Sequence, residues 1–434
     1  MDSRLSLVAA GIIALGNPVW RITTAQDSPR PVRRGCSYGN WSRPTQFPVD
    51  SSQRLDDASA ASGPGVSVAF GSPSLVFRRR VRRLNDRSPQ TGYLRAFTFQ
   101  GKSLGSPAGP FAFVFPRGAV DGAGNIHVVW GEPVTEKMLE TAEYLDDVGI
   151  GSIWYSVFRK GAWSQAIRVY EASYIRWDPS ASSQLVLDPN GGLHLAIVAS
   201  FNQLDGSIVY LNSNASIWKP KRLGFETAAA YVDLAVGKGN EVGVTFVAAP
   251  PPSPDRRWRT NGMFLLASRD RGASWSAPKL VAAADQIPAY EPRIMFDTNG
   301  RLHTIWTNQS DTSGLKRLWH QSSPDLGRTW GRAAMLQIDA TASRTAAVTD
   351  RCGTIHVLLQ STTGSGPRIG YTRFLRGSWT LLVTLFGERL GALPRPLLNT
   401  DGTVQVLFYS APFVSDASLR YRPFLSTLRS ARDR

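Results

Sequence analysis

Residues 116–130 read PRGAVDGAGNIHVVW, and residues 292–306 read PRIMFDTNGRLHTIW. Both stretches follow one frame: an apolar strand, Asp-x-x-Gly, one residue, an aliphatic, His, and a second apolar strand. The frame returns as LVLDPNGGLHLAIV (185–198), AAVTDRCGTIHVLL (346–359) and PRPLLNTDGTVQVLF (394–408), with a worn copy, LAVGKGNEVGVTFV, at 234–247. Asp121, Asp188, Asp297 and Asp350 fill the Asp position, while Gly237 and Asn399 replace it in the other two copies. The pattern predicts a β-hairpin. Asp at the first turn position accepts backbone N–H bonds, and Gly at the fourth tolerates the left-handed conformation that closes the turn.

A third strand and a tryptophan follow most hairpins: Trp163, Trp218, Trp275, Trp330 and Trp379. Two of these end a second motif, SRDRGASW (268–275) and SPDLGRTW (323–330). This Ser-x-Asp-x-Gly-x-(Ser/Thr)-Trp box fits the turn between third and fourth strands. Four-stranded units repeating about every 50 to 65 residues predict an all-β fold, a β-propeller, and six hairpins predict six blades. The sixth hairpin lacks a following Trp. YLRAFTFQGKSL (93–104) is the segment expected to supply its outer strand and close the ring.

Composition agrees with many short strands. The 434 residues include 13 Trp, 39 Gly and 28 Pro, and 42% are hydrophobic, enough for a sizeable core. The formal charge of +16 suits anionic partners in general, whether acidic glycan, nucleic acid or surface. Arg4 followed by the apolar run Leu5–Gly16 and the small residues Thr23-Thr24-Ala25 is expected to be an export signal (1–25), too short to span a bilayer comfortably. No other segment has a membrane-spanning pattern. A Ser/Pro/Arg/Asp-rich, loosely ordered lead-in (26–65) would precede the propeller (66–434). FRRRVRR (77–83) reads as a solvated face or a polyanion contact. Cys36 and Cys352 are the two cysteines, able to pair in an exported chain.

Strand direction puts both kinds of turn on one face, the bottom. The starts of the first strands then converge on the opposite, top face. The residue four before each Asp position is Arg117, Gln184, Asp233, Arg293, Ala346 and Arg395. In a closed ring these side chains would share one axial site, where arginine forks suit a carboxylate, sulfate or phosphate; pairing with local carboxylates such as Asp233 and Glu291 is the structural alternative. The top loop GEPVTEKMLETAEYLDDVGIG (131–151) carries Glu132, Glu136, Glu140, Glu143, Asp146 and Asp147. It either delivers a general acid over the axis or is a solvated acidic loop. His127, His194, His303 and His356 occupy one repeat position and therefore read as structural rather than as a metal site. No cofactor motif and no metal cluster is present.

The boxes and the hairpin array resemble the Asp-box sialidase (neuraminidase) superfamily of six-bladed propellers over roughly residues 90–425. The resemblance implies a secreted exo-glycosidase acting on sialic acid or a related acidic sugar, with three arginines on the sugar carboxylate, a Glu-assisted Tyr nucleophile and an Asp acid/base. It nominates Arg117 in FPRGAV, Asp146 or Asp147 as the acid, and Glu291 as the assisting carboxylate. Arg317 and Arg368 compete with Arg293 and Arg395 for the other two arginine positions. The family Tyr would begin the sixth unit, where this chain reads ALPRPLL with Arg395; Tyr371 or Tyr409 reaches the axis only in another register. A non-catalytic carbohydrate- or protein-binding propeller is the first alternative. A polysaccharide lyase is the second, needing a base and a charge neutraliser beside the arginines.

Overall fold

The computed structural model describes residues 38–46, 56–63, 66–72, 95–100, 102–106, 114–133, 149–177, 183–200, 206–214, 217–223, 229–248, 262–282, 289–309, 316–338, 343–363, 366–386, 390–399, 402–411 and 422–430. They form strands and no helix. The segment expected to be an export signal, the basic run 77–83 and the acidic residues of the 134–148 loop lie outside them.

β1 (Tyr38–Trp41) and β2 (Thr45–Gln46) come first in the chain but belong to the last sheet. β3 (Asp56–Gly63), β4 (Val66–Ser72) and β5 (Arg95–Thr98) form a three-stranded antiparallel sheet. The first repeated hairpin follows as β6 (Val114–Val120) and β7 (Ile126–Pro133), continued by β8 (Gly149–Arg159), β9 (Ala162–Trp163) and β10 (Ile167–Arg176). The second is β11 (Val186–Leu187) and β12 (Leu193–Ser200), with β13 (Gly206–Asn214) and β14 (Ile217–Arg222). β10 pairs with β8 and, through Tyr174–Arg176, with β12, so these two units share one nine-stranded sheet.

Two four-stranded sheets come next. One is β15 (Ala229–Val236), β16 (Val242–Ala248), β17 (Gly262–Ser268) and β18 (Lys279–Ala282); the other is β19 (Ala289–Phe296), β20 (Leu302–Gln309), β21 (Lys316–Ser323) and β22 (Ala334–Ile338). The fifth unit has β23 (Ser343–Thr349), β24 (Ile355–Thr363), β25 (Gly366–Leu375), β26 (Ser378–Trp379) and β27 (Val383–Leu385). The last has β28 (Leu390–Leu398), β29 (Val404–Ala411) and β30 (Arg422–Ser430), with β1 and β2 on the outer edge of β30.

Two expectations are corrected. The 93–104 segment does not close the last sheet: its strand β5 pairs with β4, and the outer positions are taken by β30 and β1. Part of the stretch expected to be loosely ordered is strand, β1 to β3. The hairpin β3–β4 lacks the Asp-x-x-Gly frame, which is why the repeat does not reveal it. It nevertheless takes its place beside the repeated hairpins. Ser62 donates to Asn399 of the last unit at 3.0 Å, and a Cβ on Gly63 would lie 2.4 Å from Val120 of the first repeated unit.

The repeated residues bind each unit to its neighbour. Asp188 accepts from the backbone of Asn190 and Gly192, and its other oxygen lies 3.2 Å from His194 Nε2. His194 Nδ1 meets Tyr210 Oη at 2.5 Å, and Tyr210 packs edge-on against Trp275 of the next unit, ring centroids 4.9 Å apart. Asp121–His127–Tyr155 with Trp218 and Asp350–His356–Tyr371 repeat the chain. In the Asp297–His303 copy a second histidine, His320, replaces the tyrosine, with Trp379 beside it. A buried polar group is tolerable only when hydrogen-bonded, and in the three tyrosine-containing copies each ring nitrogen has a partner; in the fourth, His303 Nε2 only approaches Asp297, at 3.4 Å.

The tryptophan missing from the sixth unit is Trp41. It packs edge-on against Tyr371 at 5.1 Å, as the later tryptophans pack on the units before them. Next to it, the Tyr38 hydroxyl donates to Asp350 and to Thr354, and Arg373 lies over the Tyr38 ring at 4.8 Å. Cys352, in the same hairpin turn, is disulfide-bonded; Cys36, the other cysteine, lies outside the described residues.

The Ser-x-Asp boxes are the expected third-to-fourth-strand turns. Ser268 Oγ accepts from Gly272 N at 2.8 Å and donates to Asp270, which accepts from the backbone and hydroxyl of Ser274. Ser323, Asp325, Gly327 and Thr329 repeat this. The residue before each box glycine matches the unit it faces. Arg271 pairs with Asp188, whereas Leu326 is buried beside Leu265 in the unit whose Asp position is Gly237.

Two outcomes follow. Gly272 has φ +86°, and a Cβ there would lie 2.3 Å from the Tyr210 ring; Gly161 has φ +81° with open space around it. Gly272→Ala is expected to cost about 3 kcal/mol in urea unfolding, and Gly161→Ala about 1 kcal/mol. Burial, then the neighbouring His303, lowers the His320 pKa from 6.5 to about 3. The unfolded chain therefore takes up a proton that the folded chain refuses. Stability falls as pH drops from about 6.5 towards 3, by up to about 1.4 kcal/mol per pH unit from this group. His320→Gln should shallow that acid limb when denaturation is measured as a function of pH.

Candidate functional site

Residues from β3, β6, β11, β15, β19, β23 and β28 line one cavity of about 350 Å³. Its lining includes Gln184, Asp233, Arg293, Ala346 and Arg395, five of the six residues that stand four before the Asp position. Arg117 is the sixth. It is only 1% exposed and sits beside the lining residue Gly118.

β-Bulges place these side chains. The first-strand ladders slip between Val114 and Arg117, Ala230 and Val232, Tyr290 and Arg293, Ser343 and Thr345, and Ala392 and Arg395. A bulge inserts one unpaired residue and re-aims the side chains after it. Three of these extra residues are non-glycines in the left-handed region: Tyr231 at φ 42°, Glu291 at φ 46° and Arg344 at φ 53°. Such backbone costs of order 1 kcal/mol or more and persists where surrounding bonds hold it. At β19 the holding bond is visible: Glu291 accepts from Thr345 N of β23 at 2.7 Å.

The charges are arranged around Asp233, which is 8% exposed. Its Oδ2 accepts from Ile294 N at 3.1 Å, a donor on the strand just past the β19 bulge. Burial pushes the Asp233 carboxyl above the usual carboxylate range, opposed first by Arg293, then by the Ile294 and Leu234 N–H groups and by Arg117. Arg293 donates through Nε to Thr345 O at 2.7 Å and through Nη1 to Pro292 O at 3.3 Å. Arg117 donates to Pro116 O at 3.2 Å, with its guanidinium 5.6 Å from the Trp177 ring centroid. Guanidinium groups held by backbone carbonyls and aromatic faces are pre-organised and weakly hydrated, which favours planar anions.

The other nominated residues fall elsewhere. Tyr371 does not reach the cavity: it is buried in the Asp350–His356 chain, where burial raises its pKa, the opposite of what a nucleophile needs. Arg317 is exposed on β21, opposite Asn308, and Arg368 is half-buried on β25, opposite Ser361. Neither lines the cavity. Glu291 supports the bulge rather than the lining. Asp146 and Asp147 lie outside the described residues.

Two contacts had no signal in the repeats. Trp177, fully buried against Arg117, follows β10, the strand that departs from the four-strand pattern. Glu132 at the top of β7 accepts from Ser152 Oγ and Trp154 Nε1, both at 2.7 Å; its acidic neighbours in sequence marked the region but not these partners. Among the described residues, no three His, Cys, Asp or Glu side chains converge as metal ligands would. Among them, too, no helix is long and apolar enough to cross a membrane.

No protein-family model matches the chain, and no curated protein matches it. It is similar in structure to a protein of unknown function from Dyadobacter fermentans, with a TM-score of 0.51 and 14% identity over 74% of this chain and 95% of that one. It is also similar to a polysaccharide lyase, an ulvan lyase, with a TM-score of 0.50 and 12% identity over 90% of this chain and 98% of that one. An α-L-arabinanase from Penicillium chrysogenum, in complex with arabinobiose, has a TM-score of 0.47 and 14% identity over 73% of this chain and 92% of that one. At these identities the likeness is one of fold: the chain shares its all-β architecture with a propeller enzyme. None of the three is described as a sialidase.

The two arginines at opposite extremes of burial give a test. Arg117→Ala removes a buried guanidinium that opposes the Asp233 charge and packs over Trp177, and should cost about 3 kcal/mol in urea unfolding. Arg317→Ala on the exposed face of β21 should stay within about 0.5 kcal/mol.

Proposed function

We propose that this protein is an exported, carbohydrate-acting β-propeller of seven radial units whose axial cavity seats an anionic sugar. The observation that carries the reading is the set Arg293, Arg395 and Asp233 lining one cavity, with Arg117 behind it. Seven units rather than six follow from adding β3–β5 to the six repeated hairpins, since seven first strands contribute to the lining. Export is consistent with the disulfide at Cys352.

The nature of the chemistry divides into two readings. The paired Ser-x-Asp boxes support an exo-glycosidase of the sialidase kind, acting on sialic acid or a related acidic sugar, with the acid supplied by Asp146 or Asp147. The likeness to an ulvan lyase over 90% of this chain supports the second, elimination from an acidic polysaccharide. The described cavity lining holds neither a tyrosine, the nucleophile of the first reading, nor a tyrosine or histidine to act as the base of the second. In either, arginines hold the sugar anion and oppose the charge that develops on it.

The experiment is a panel of sialosides, uronate-containing polysaccharides and sulfated polysaccharides, followed for released sialic acid, new reducing ends and unsaturated sugar. Arg293→Ala and Arg395→Ala should each lower kcat/KM about 100-fold, the loss of one charge-assisted contact of about 3 kcal/mol, without altering the far-ultraviolet spectrum. Tight binding without turnover would assign a binding propeller. Failure to bind any acidic glycan would end the reading.

A further inference from the structure

We propose that Asp233 is a built-in counter-anion of the axial cavity, which takes up a proton from solvent and gives way when a sugar anion binds. The inference rests on the reading that the cavity seats an anion. It adds a rule for when the seat is free: ionised, Asp233 offsets the charge of the guanidiniums and repels a second anion; neutral, it does neither and offers an O–H to the ligand's oxygens.

The geometry makes this carboxylate unlike the others in the ring. The repeated turn aspartates of this chain, Asp121, Asp188, Asp297 and Asp350, are each tied to turn backbone N–H groups and a histidine at the bottom of the sheets. Asp233 stands instead at the arginine position of its unit, among Arg293 of β19 and Arg117 of β6, and lines the same cavity as Arg395 of β28. Its ladder partner on β16 is Thr245, buried and neutral. Tyr231, two residues earlier on β15, is engaged by Arg176, whose guanidinium lies 5.6 Å from its ring centroid. The charged groups that share the cavity with Asp233 are therefore Arg293 and Arg395, with Arg117 behind, and Ile294 N–H is its hydrogen-bond donor.

Two anions cannot share these guanidiniums at close range in a buried site without strong repulsion. The ligand's arrival raises the proton affinity of a carboxyl already pushed up by burial. One proton passes from solvent to Asp233 as one ligand anion binds, so charge and protons balance. Asn at this position would keep the oxygen that accepts from Ile294 and nearly the same volume, but no charge.

The probe is inorganic sulfate, whose charge does not change across the range used, titrated by calorimetry between about pH 5 and pH 8. Wild-type affinity is expected to fall by up to about tenfold per pH unit above the Asp233 pKa, with close to one proton taken up per sulfate when two buffers of different protonation enthalpy are compared. Asp233→Asn should bind at least as tightly as wild type at the lowest pH, with a flat profile and no proton uptake. The wild-type proton count tests the idea even if the variant does not fold. A flat wild-type profile without proton uptake, while Arg293→Ala loses sulfate, overturns the role of Asp233 and leaves the anion site standing. So does an Asp233→Asn protein that binds more weakly at every pH, since Asp233 would then hold the arginines in place. No sulfate binding by wild type at any pH would overturn the site and this inference together.

Discussion

The structure depends on one recurring constraint: no four-stranded unit buries its own polar hairpin. The Asp of each frame closes a turn with one oxygen and meets a histidine with the other. That histidine needs a second partner, which is a tyrosine or, once, His320. The aromatic then needs cover, and a tryptophan from outside the unit supplies it, as Trp218 covers Tyr155 and Trp275 covers Tyr210. Edge-on aromatic pairs contribute of order 1 kcal/mol each, but removing one also leaves a buried hydroxyl chain uncovered. Each unit is thus incomplete without the next, and the array holds together at its seams.

The seams explain features that appear local. Arg271 in one box and Leu326 in the other occupy equivalent turn positions, yet one makes an ion pair and the other is buried in apolar surroundings. The difference lies in the unit each faces. Asp188, His194 and Tyr210 present a polar wall; Met263, Leu265 and Ala267 present an apolar one. The first described strand follows the same logic. β1 adds to β30 and brings Trp41 to Tyr371, so the last seam is made by residues more than 300 positions away.

Convergence of the first strands then brings distant residues to one cavity. A single Arg on a strand is a surface feature; Arg117, Arg293 and Arg395 become neighbours because first strands meet there, and because bulges re-aim the side chains that follow. The left-handed Glu291 shows what sustains this geometry: its carboxylate captures the amide of Thr345, while Arg293 donates to the carbonyl of that same residue. The bond pattern crosses from one unit to the next, so the position of the cavity arginine depends on the seam. Asp233 completes the arrangement as the one carboxylate in the described lining.

The repeated strands, the hairpin turns, the boxes and the set of residues four before the Asp position were legible in the residues alone, because these follow from local backbone chemistry written in the same words several times over. Asp at a turn start and Gly at a positive φ leave a readable mark wherever they occur. Only the tertiary structure decided what has no such mark: that β3–β4, without the frame, also reaches the cavity; that Trp41 rather than residues 93–104 completes the last sheet; and that Tyr371 serves a seam while Arg317 faces solvent. Those outcomes depend on pairing between segments far apart in the chain, and strand pairing is specified by packing against a partner rather than by any residue's own preference. Burial of Asp233 among arginines belongs to the same class. Its charge is legible in one letter, but its place in the same cavity as Arg293 and Arg395 exists only where several strands bring their ends together.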